Sequence, residues 1–215
     1  MRIQILAVAA FSLVASHADA QRRRGGFSQG PSNWLSVSGG ISIMNAVQDG
    51  RTLSTWDFGN GFPLRASIEH AVSGGNTIGV EASYVRAPLL YRSSSSGGCG
   101  TCNAHATVAS YGPVLRLGEP RYGGGFYQVL ELFAGVLQYG NFTVDASGQP
   151  LPPKQPDKDF AFSLGIGVGH SLGQDFAIEL NTSQMRAIHQ RTGLLGNAQT
   201  TITHTLFLLG LRMGL

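Results

Sequence analysis

Large apolar residues alternate with small or polar ones through most of this chain. In Asp159 to Leu172, "DFAFSLGIGVGHSL", Phe160, Phe162, Leu164, Ile166 and Val168 interleave with Ala161, Ser163, Gly165, Gly167 and Gly169. Successive side chains of a β-strand point to opposite faces, so this segment forms a strand with one large apolar face and one nearly bare face. The same period predicts eight strands, over residues 34–44, 62–73, 77–87, 105–117, 126–139, 160–171, 176–187 and 202–214. No long amphipathic helix pattern interrupts them.

The connections alternate as strictly as the residues do. "SGGN" (73–76), "GEPRYGGG" (118–125) and "LGQD" (172–175) are short and rich in turn formers. Residues 45–61, 88–104, 140–159 and 188–201 are long and rich in Gly, Pro, Ser or Asn. This is the pattern of an antiparallel meander with turns at one end and loops at the other. The final segment, "THTLFLLGLRMGL", is expected to close the meander against the first strand.

Charge decides which face looks outward. Charged residues are 13% of the chain, against about 25% in ordinary soluble domains. The only lysines are Lys154 and Lys158. A soluble barrel would turn the apolar face inward and show water the Gly/Ser/Ala face, which should then carry frequent charges. Between Phe160 and Ser171 that face carries none. The apolar row is therefore expected to face lipid, with small and polar groups filling a narrow lumen.

The first residues fit the same setting. "MRIQILAVAAFSLVASHADAQ" has a basic start at Arg2, an apolar core over Ile5–Ala15 and a small-x-small site at Ala18-Asp19-Ala20. These features read as an export signal over 1–20, too short to span a bilayer as a helix. A basic, Gly-rich leader (21–33) would follow, then a barrel over 34–215. Removing 1–20 takes away Arg2 and Asp19 and leaves 14 − 11 = +3.

Together, the signal, eight alternating strands, short and long connections and terminal apolar strand resemble the small eight-stranded outer-membrane β-barrel family. Its members include the transmembrane domain of outer-membrane protein A and OmpX. The resemblance implies an all-β, single closed antiparallel up-and-down transmembrane barrel with short periplasmic turns and long extracellular loops. It also implies export through the periplasm to the outer membrane of a Gram-negative cell envelope. It covers the whole mature chain as a pattern, not a motif. One departure is the last residue, Leu215, where such chains often end in an aromatic.

With apolar rows outward, charges within strands fall in the lumen. Leu64, Ala66 and Ile68 point out while Arg65, Ser67 and Glu69 point in; Ile78, Val80 and Tyr84 point out while Glu81 and Ser83 point in. The same parity sends Glu131, Glu179, Arg116 and Arg212 inward, although Pro113 makes strand four ambiguous. Glu69, Glu81, Arg116, Glu131, Glu179 and Arg212 all lie within about six residues of the short-turn end, hence in one half of the lumen at about 3.3 Å per residue. Eight strands enclose an interior just wide enough for side chains to fill. These six residues are expected to form a hydrogen-bonded layer that closes the lumen. Its charge of −4 + 2 = −2 points to a protonated Glu or to His204 as a partner, and Arg65 is expected nearer the other end.

Cys99 and Cys102 in "SSSSGGCGTCNAH" are the only cysteines, and in an oxidising compartment they are disulfide candidates. A metal site with His105 lacks an evident fourth ligand, so no metal and no cofactor is expected. Phe126, Tyr127, Phe160, Phe162, Phe176 and Trp34 near strand ends suit the aromatic girdles of a membrane barrel. The basic residues form no stripe for nucleic acid.

The expected partners are outer-membrane lipids and lipopolysaccharide, with the long loops as the place an extracellular ligand would bind, on a monomeric barrel. The leading functional expectation is a structural or surface-interaction barrel. A second is a narrow pore for small solutes, using room left in the upper lumen by Gly165, Gly167 and Gly169. A third is a lipid-modifying enzyme, for which His170, Ser171 and Glu179 are the only superficial set. Parity sends His170 and Ser171 to opposite faces and Glu179 away from His170, so no catalytic residue is expected.

Overall fold

The computed structural model describes residues 31–72, 75–93, 99–118, 124–189 and 201–215. The expected signal, most of the leader and most of the 188–201 loop lie outside them. The elements are β1 (Asn33–Met44), β2 (Val47–Asp49), β3 (Ser54–Phe58), β4 (Pro63–Val72), β5 (Asn76–Ser93), β6 (Thr101–Leu117), β7 (Gly125–Val144), β8 (Asp157–Ser171), β9 (Phe176–Ile188) and β10 (Thr201–Gly214). No helix among the described residues is long and apolar enough to cross a membrane, which says nothing of strands.

Eight strands close into one antiparallel barrel in the order β1-β10-β9-β8-β7-β6-β5-β4 and back to β1. The seam is the β1–β10 ladder, running from Trp34↔Gly214 to Met44↔His204. Closure leaves no free edge in the wall. The tight ends use backbone shapes that favour glycine: Gly75 (φ 86) and Gly173 (φ 133) turn the chain between β4 and β5 and between β8 and β9.

The first long connection is not a plain loop. Residues 45–61 form a β2–β3 hairpin whose second strand pairs with an extension of β5, from Ser54↔Ser93 to Phe58↔Leu89. "VQDGRTLSTWDF" offers only short alternating runs, so the period carried little signal, and the long β5 supplies the edge that β3 joins. Strands β5, β6 and β7 also run further than the period indicated, reaching 18, 17 and 20 residues.

Two regimes stack along the barrel axis. Toward the short turns the wall is apolar outside and polar inside: Ile68, Val80, Leu132, Leu164, Leu180 and Leu209 are exposed while Glu69, Glu81, Glu131 and Glu179 are buried. Toward the long loops the inner row turns apolar and the outer row becomes mixed, with Ile41, Ile43, Phe160 and Ile188 still exposed. Arg86, Gln138, Lys158, Gln184 and Arg186 stand on the outer row, and Val85, Ala87, Leu137, Met185 and Ala187 are buried inside. These inner residues join Trp56, Phe142, Tyr91 and Ile202 in one continuous apolar core. Large apolar side chains stand where room was expected in the upper lumen, and Gly165, Gly167 and Gly169, expected to leave that room, lie lower, beside Glu131, Asn181 and Tyr127.

Candidate functional site: the buried lumen

Two layers fill the lumen, and the lower is ionic. The structure brings Glu69, Glu81, Arg116, Glu131, Glu179 and Arg212 together, each at most 6% exposed. Arg116, from β6, is the hub: its Nη2 donates to Glu179 Oε2 at 2.6 Å, its Nη1 faces Glu69 Oε1 at 3.4 Å and its Nε lies 3.3 Å from Glu131 Oε2. Arg212, from β10, donates to Glu69 Oε2 at 2.7 Å and faces Glu179 Oε1 at 3.4 Å. Its guanidinium also lies over the Trp34 ring, 5.1 Å from the centroid.

Arg65 belongs to this layer as well, contrary to its expected place near the other end. Its Nη1 donates to Glu131 Oε1 at 2.7 Å and lies 3.6 Å from Glu81 Oε2. A long side chain on tilted β4 crosses the lumen, so position along the strand misjudged its height. With Arg65 the count is −4 + 3 = −1. His204 is not the expected partner. It is buried near the long-loop end of β10, opposite Met44, and its ring nitrogens have no hydrogen-bond partner among the described residues.

Uncharged donors complete the network. Tyr127 Oη donates to Glu179 Oε1 at 2.8 Å, and Glu69 accepts from Ser67 Oγ at 2.7 Å and Thr77 Oγ1 at 2.5 Å. Carboxylates that accept several such bonds are the form in which charge survives burial. The nearly bare face of β8 now has a physical reason. A Cβ on Gly165 would lie 3.2 Å from Glu131 Oε1, and one on Gly167 would lie 3.2 Å from Asn181 Nδ2. The glycines are the troughs in which neighbouring inward side chains lie.

Two girdle aromatics are lumen residues instead. Trp34 and Tyr127 are buried inside, whereas Phe126, Phe160, Phe162 and Phe176 are exposed on the outer row. Strand-end position alone could not separate the two groups; parity could.

The upper layer is apolar with a polar roof that the sequence reading missed. Trp56 of the hairpin packs on Phe142 (4.6 Å between centroids), Tyr139 (5.4 Å) and His189 (5.6 Å). Above it His189 Nδ1 lies 2.8 Å from Asp159 Oδ2, Tyr139 Oη donates to the same oxygen at 2.8 Å, and His189 Nε2 lies 3.7 Å from Asp49 Oδ1. Burial pushes the Asp49 carboxyl up, but the adjacent His189 ring and hydrogen bonds from Thr52 and the Arg51 N–H bring it down from 3.8 to about 2. Asp159, an inward acid in an apolar half, was the available signal.

No group of three or more metal-ligating side chains among the described residues is placed to hold a metal ion. Cys99 and Cys102 are disulfide-bonded, and His105 instead contacts Arg86 and Asp145, each at 2.7 Å. His170 stacks on Phe126 at 4.6 Å while Ser171 is buried inside, so His170, Ser171 and Glu179 are not assembled as a catalytic set.

No family model and no curated protein matches the chain. Solved structures do. Neisserial surface protein A matches with a TM-score of 0.56 and 9% identity, over 87% of this chain and 100% of that one. The outer-membrane protein OprG of Pseudomonas aeruginosa matches with a TM-score of 0.51 and 8% identity, over 86% and 98%. At such identities the likeness concerns the fold: this chain has the eight-stranded barrel of small outer-membrane proteins, with one additional hairpin.

Proposed function

We propose that this chain is an outer-membrane barrel, closed along its axis, whose role is structural or is carried out at its extracellular surface. The membrane reading draws on the outer row of large apolar residues, which soluble monomers rarely expose as a continuous band. Closure is supported chiefly by one observation: Arg116 holds Glu69, Glu131 and Glu179, from β4, β7 and β9, and so ties three sides of the lumen through one side chain. The apolar core around Trp56 stacks on that layer as a second, dry barrier.

A narrow pore would need both barriers to move. The surfaces left for recognition are the long-loop ends, where the hairpin and the extended β5–β7 project. The test is planar-bilayer conductance of the refolded mature chain, with insertion verified by heat-dependent gel mobility. An inserted barrel that passes no current is the expected outcome. Discrete conductance steps would overturn closure and make the pore the function.

A further inference from the structure

On the outer wall of β9, Arg186 is a cation without a partner among the described residues. No ion pair, hydrogen bond or ring contact joins it to another described residue. The other outward cations of the upper wall are engaged: Arg86 contacts His105 at 2.7 Å, and Lys158 lies over Tyr111 at 6.0 Å. A guanidinium on the lipid-facing wall is costly at mid-membrane and nearly free at the interface, which places Arg186 at an edge of the apolar band.

Height identifies which edge. Arg186 lies 186 − 176 = 10 residues above the first residue of β9. That is about 33 Å along the strand and about 25 Å along the axis at a tilt near 40°, the height of the whole apolar band. The outward row of β9 turns polar over Thr182, Gln184 and Arg186, with Met185 and Ala187 facing in and Ile188 the next outward residue.

The neighbours of Arg186 complete a site of mixed chemistry. Its cross-strand partners are Phe162 on β8 and Thr203 on β10; those of Gln184 are Leu164 and Thr205. A groove of about 490 Å³ runs here, lined by Leu132, Phe162, Leu164, Gln184 and Arg186 among others. Apolar walls below a guanidinium, with a carboxamide and two hydroxyls beside it, complement an amphiphile. Such a ligand has an acyl chain, an anionic group and several hydroxyl or amide groups.

We propose that this groove binds one molecule of lipopolysaccharide from the outer leaflet. A lipid A phosphate sits on Arg186, the phosphorylated sugar's polar groups on Gln184, Thr203 and Thr205, and an acyl chain along Phe162, Leu164 and Leu132. Arginine suits phosphate because its planar fork donates two parallel hydrogen bonds. The site rests on the outer-membrane reading given above, since it needs the upper edge of the wall to meet the outer leaflet.

The test is native mass spectrometry of the refolded, inserted chain, released from mixed micelles containing lipid A, lipid A stripped of both phosphates, or phosphatidylglycerol. One lipid A retained per barrel is expected, with the bound fraction falling at least fivefold for the dephosphorylated lipid and for Arg186→Ala. Lys154→Ala, in a long loop, should leave it unchanged, and Arg186→Lys should retain an intermediate fraction. Equal retention of lipid A by the unaltered chain and Arg186→Ala would overturn the site, as would phosphatidylglycerol binding as well as lipid A. Should Arg186→Ala not fold, the phosphorylated and dephosphorylated lipids on the unaltered chain decide the matter. A chain that does not insert overturns the membrane reading itself; an inserted chain indifferent to the phosphates overturns this site alone.

Discussion

Tyr127 lies across Gly169: a Cβ built on that glycine would fall 2.6 Å from Tyr127 Cε1 and 2.5 Å from its hydroxyl oxygen. The hydroxyl is held in turn by Glu179 at 2.8 Å. A single hydrogen atom at 169 is thus what lets a tyrosine of β7 reach a carboxylate of β9. Gly169→Ala should displace the ring and break that bond, costing about 1–3 kcal/mol through overpacking and the loss of the shorter of two hydrogen bonds to Glu179 Oε1, which keeps Arg212 at 3.4 Å. Urea unfolding in lipid vesicles measures it. Tyr127→Ala/Gly169→Ala should cost little more than Tyr127→Ala alone, because the ring that the new methyl would meet is gone, and full additivity of the two would contradict the shared position.

Arg116 offers the second prediction. Arg116→Met leaves Glu69, Glu131 and Glu179 with only Arg65 and Arg212 as cations and takes the layer from −1 to −2. Removing one partner of a buried ionic cluster typically costs about 3–5 kcal/mol, because the charges left behind are desolvated and uncompensated. Arg116→Met/Glu179→Gln removes one charge of each sign and should recover part of that loss. A double variant as unstable as the sum of its singles would mean the two side chains act independently.

How far the sequence carries such arguments depends on reach. Period two fixes the face of every strand residue, so the lumen position of Glu131 and the outward position of Phe160 follow from parity alone. It does not fix how far a side chain extends across a tilted barrel, and Arg65 was misjudged for that reason. Nor does it flag a hairpin of three- and five-residue strands such as β2–β3, whose pairing depends on the extended β5. The apolar upper core is legible in the sequence: in "YVRAPLLY" the inward Val85, Ala87, Leu89 and Tyr91 are apolar while Arg86 faces out, the reverse of the pattern nearer the turns.

The proposed closure would be redundant, resting on two stacked layers, which gives the third prediction. Glu131→Ala/Glu179→Ala should leave the inserted barrel silent in planar bilayers, because the core around Trp56, Phe142 and Leu137 still fills the section above. Adding Trp56→Gly and Phe142→Ala should open a path and produce current steps. Conductance from the charge variant alone would show that the upper core does not seal.

The roof of that core predicts an acid response. Asp49 lies in the hairpin, facing His189, with Asp159 and Tyr139 beyond it. Its folded pKa of about 2 lies below the ordinary 3.8. The native state therefore binds fewer protons than the unfolded one across this interval, and the stabilisation is fully present above pH 4. It is lost as pH falls from about 4 to 2, up to about 2 kcal/mol. The chain has two tryptophans, Trp34 and Trp56, so Trp34→Phe makes Trp56 the sole reporter of hairpin docking. Acidification over that range should shift its emission to the red and lower the urea midpoint. In Asp49→Asn, docking should be weaker at pH 7, and the change between pH 4 and 2 should shrink by about 1 kcal/mol or more. An acid transition of undiminished size in Asp49→Asn would remove Asp49 as the source of the response.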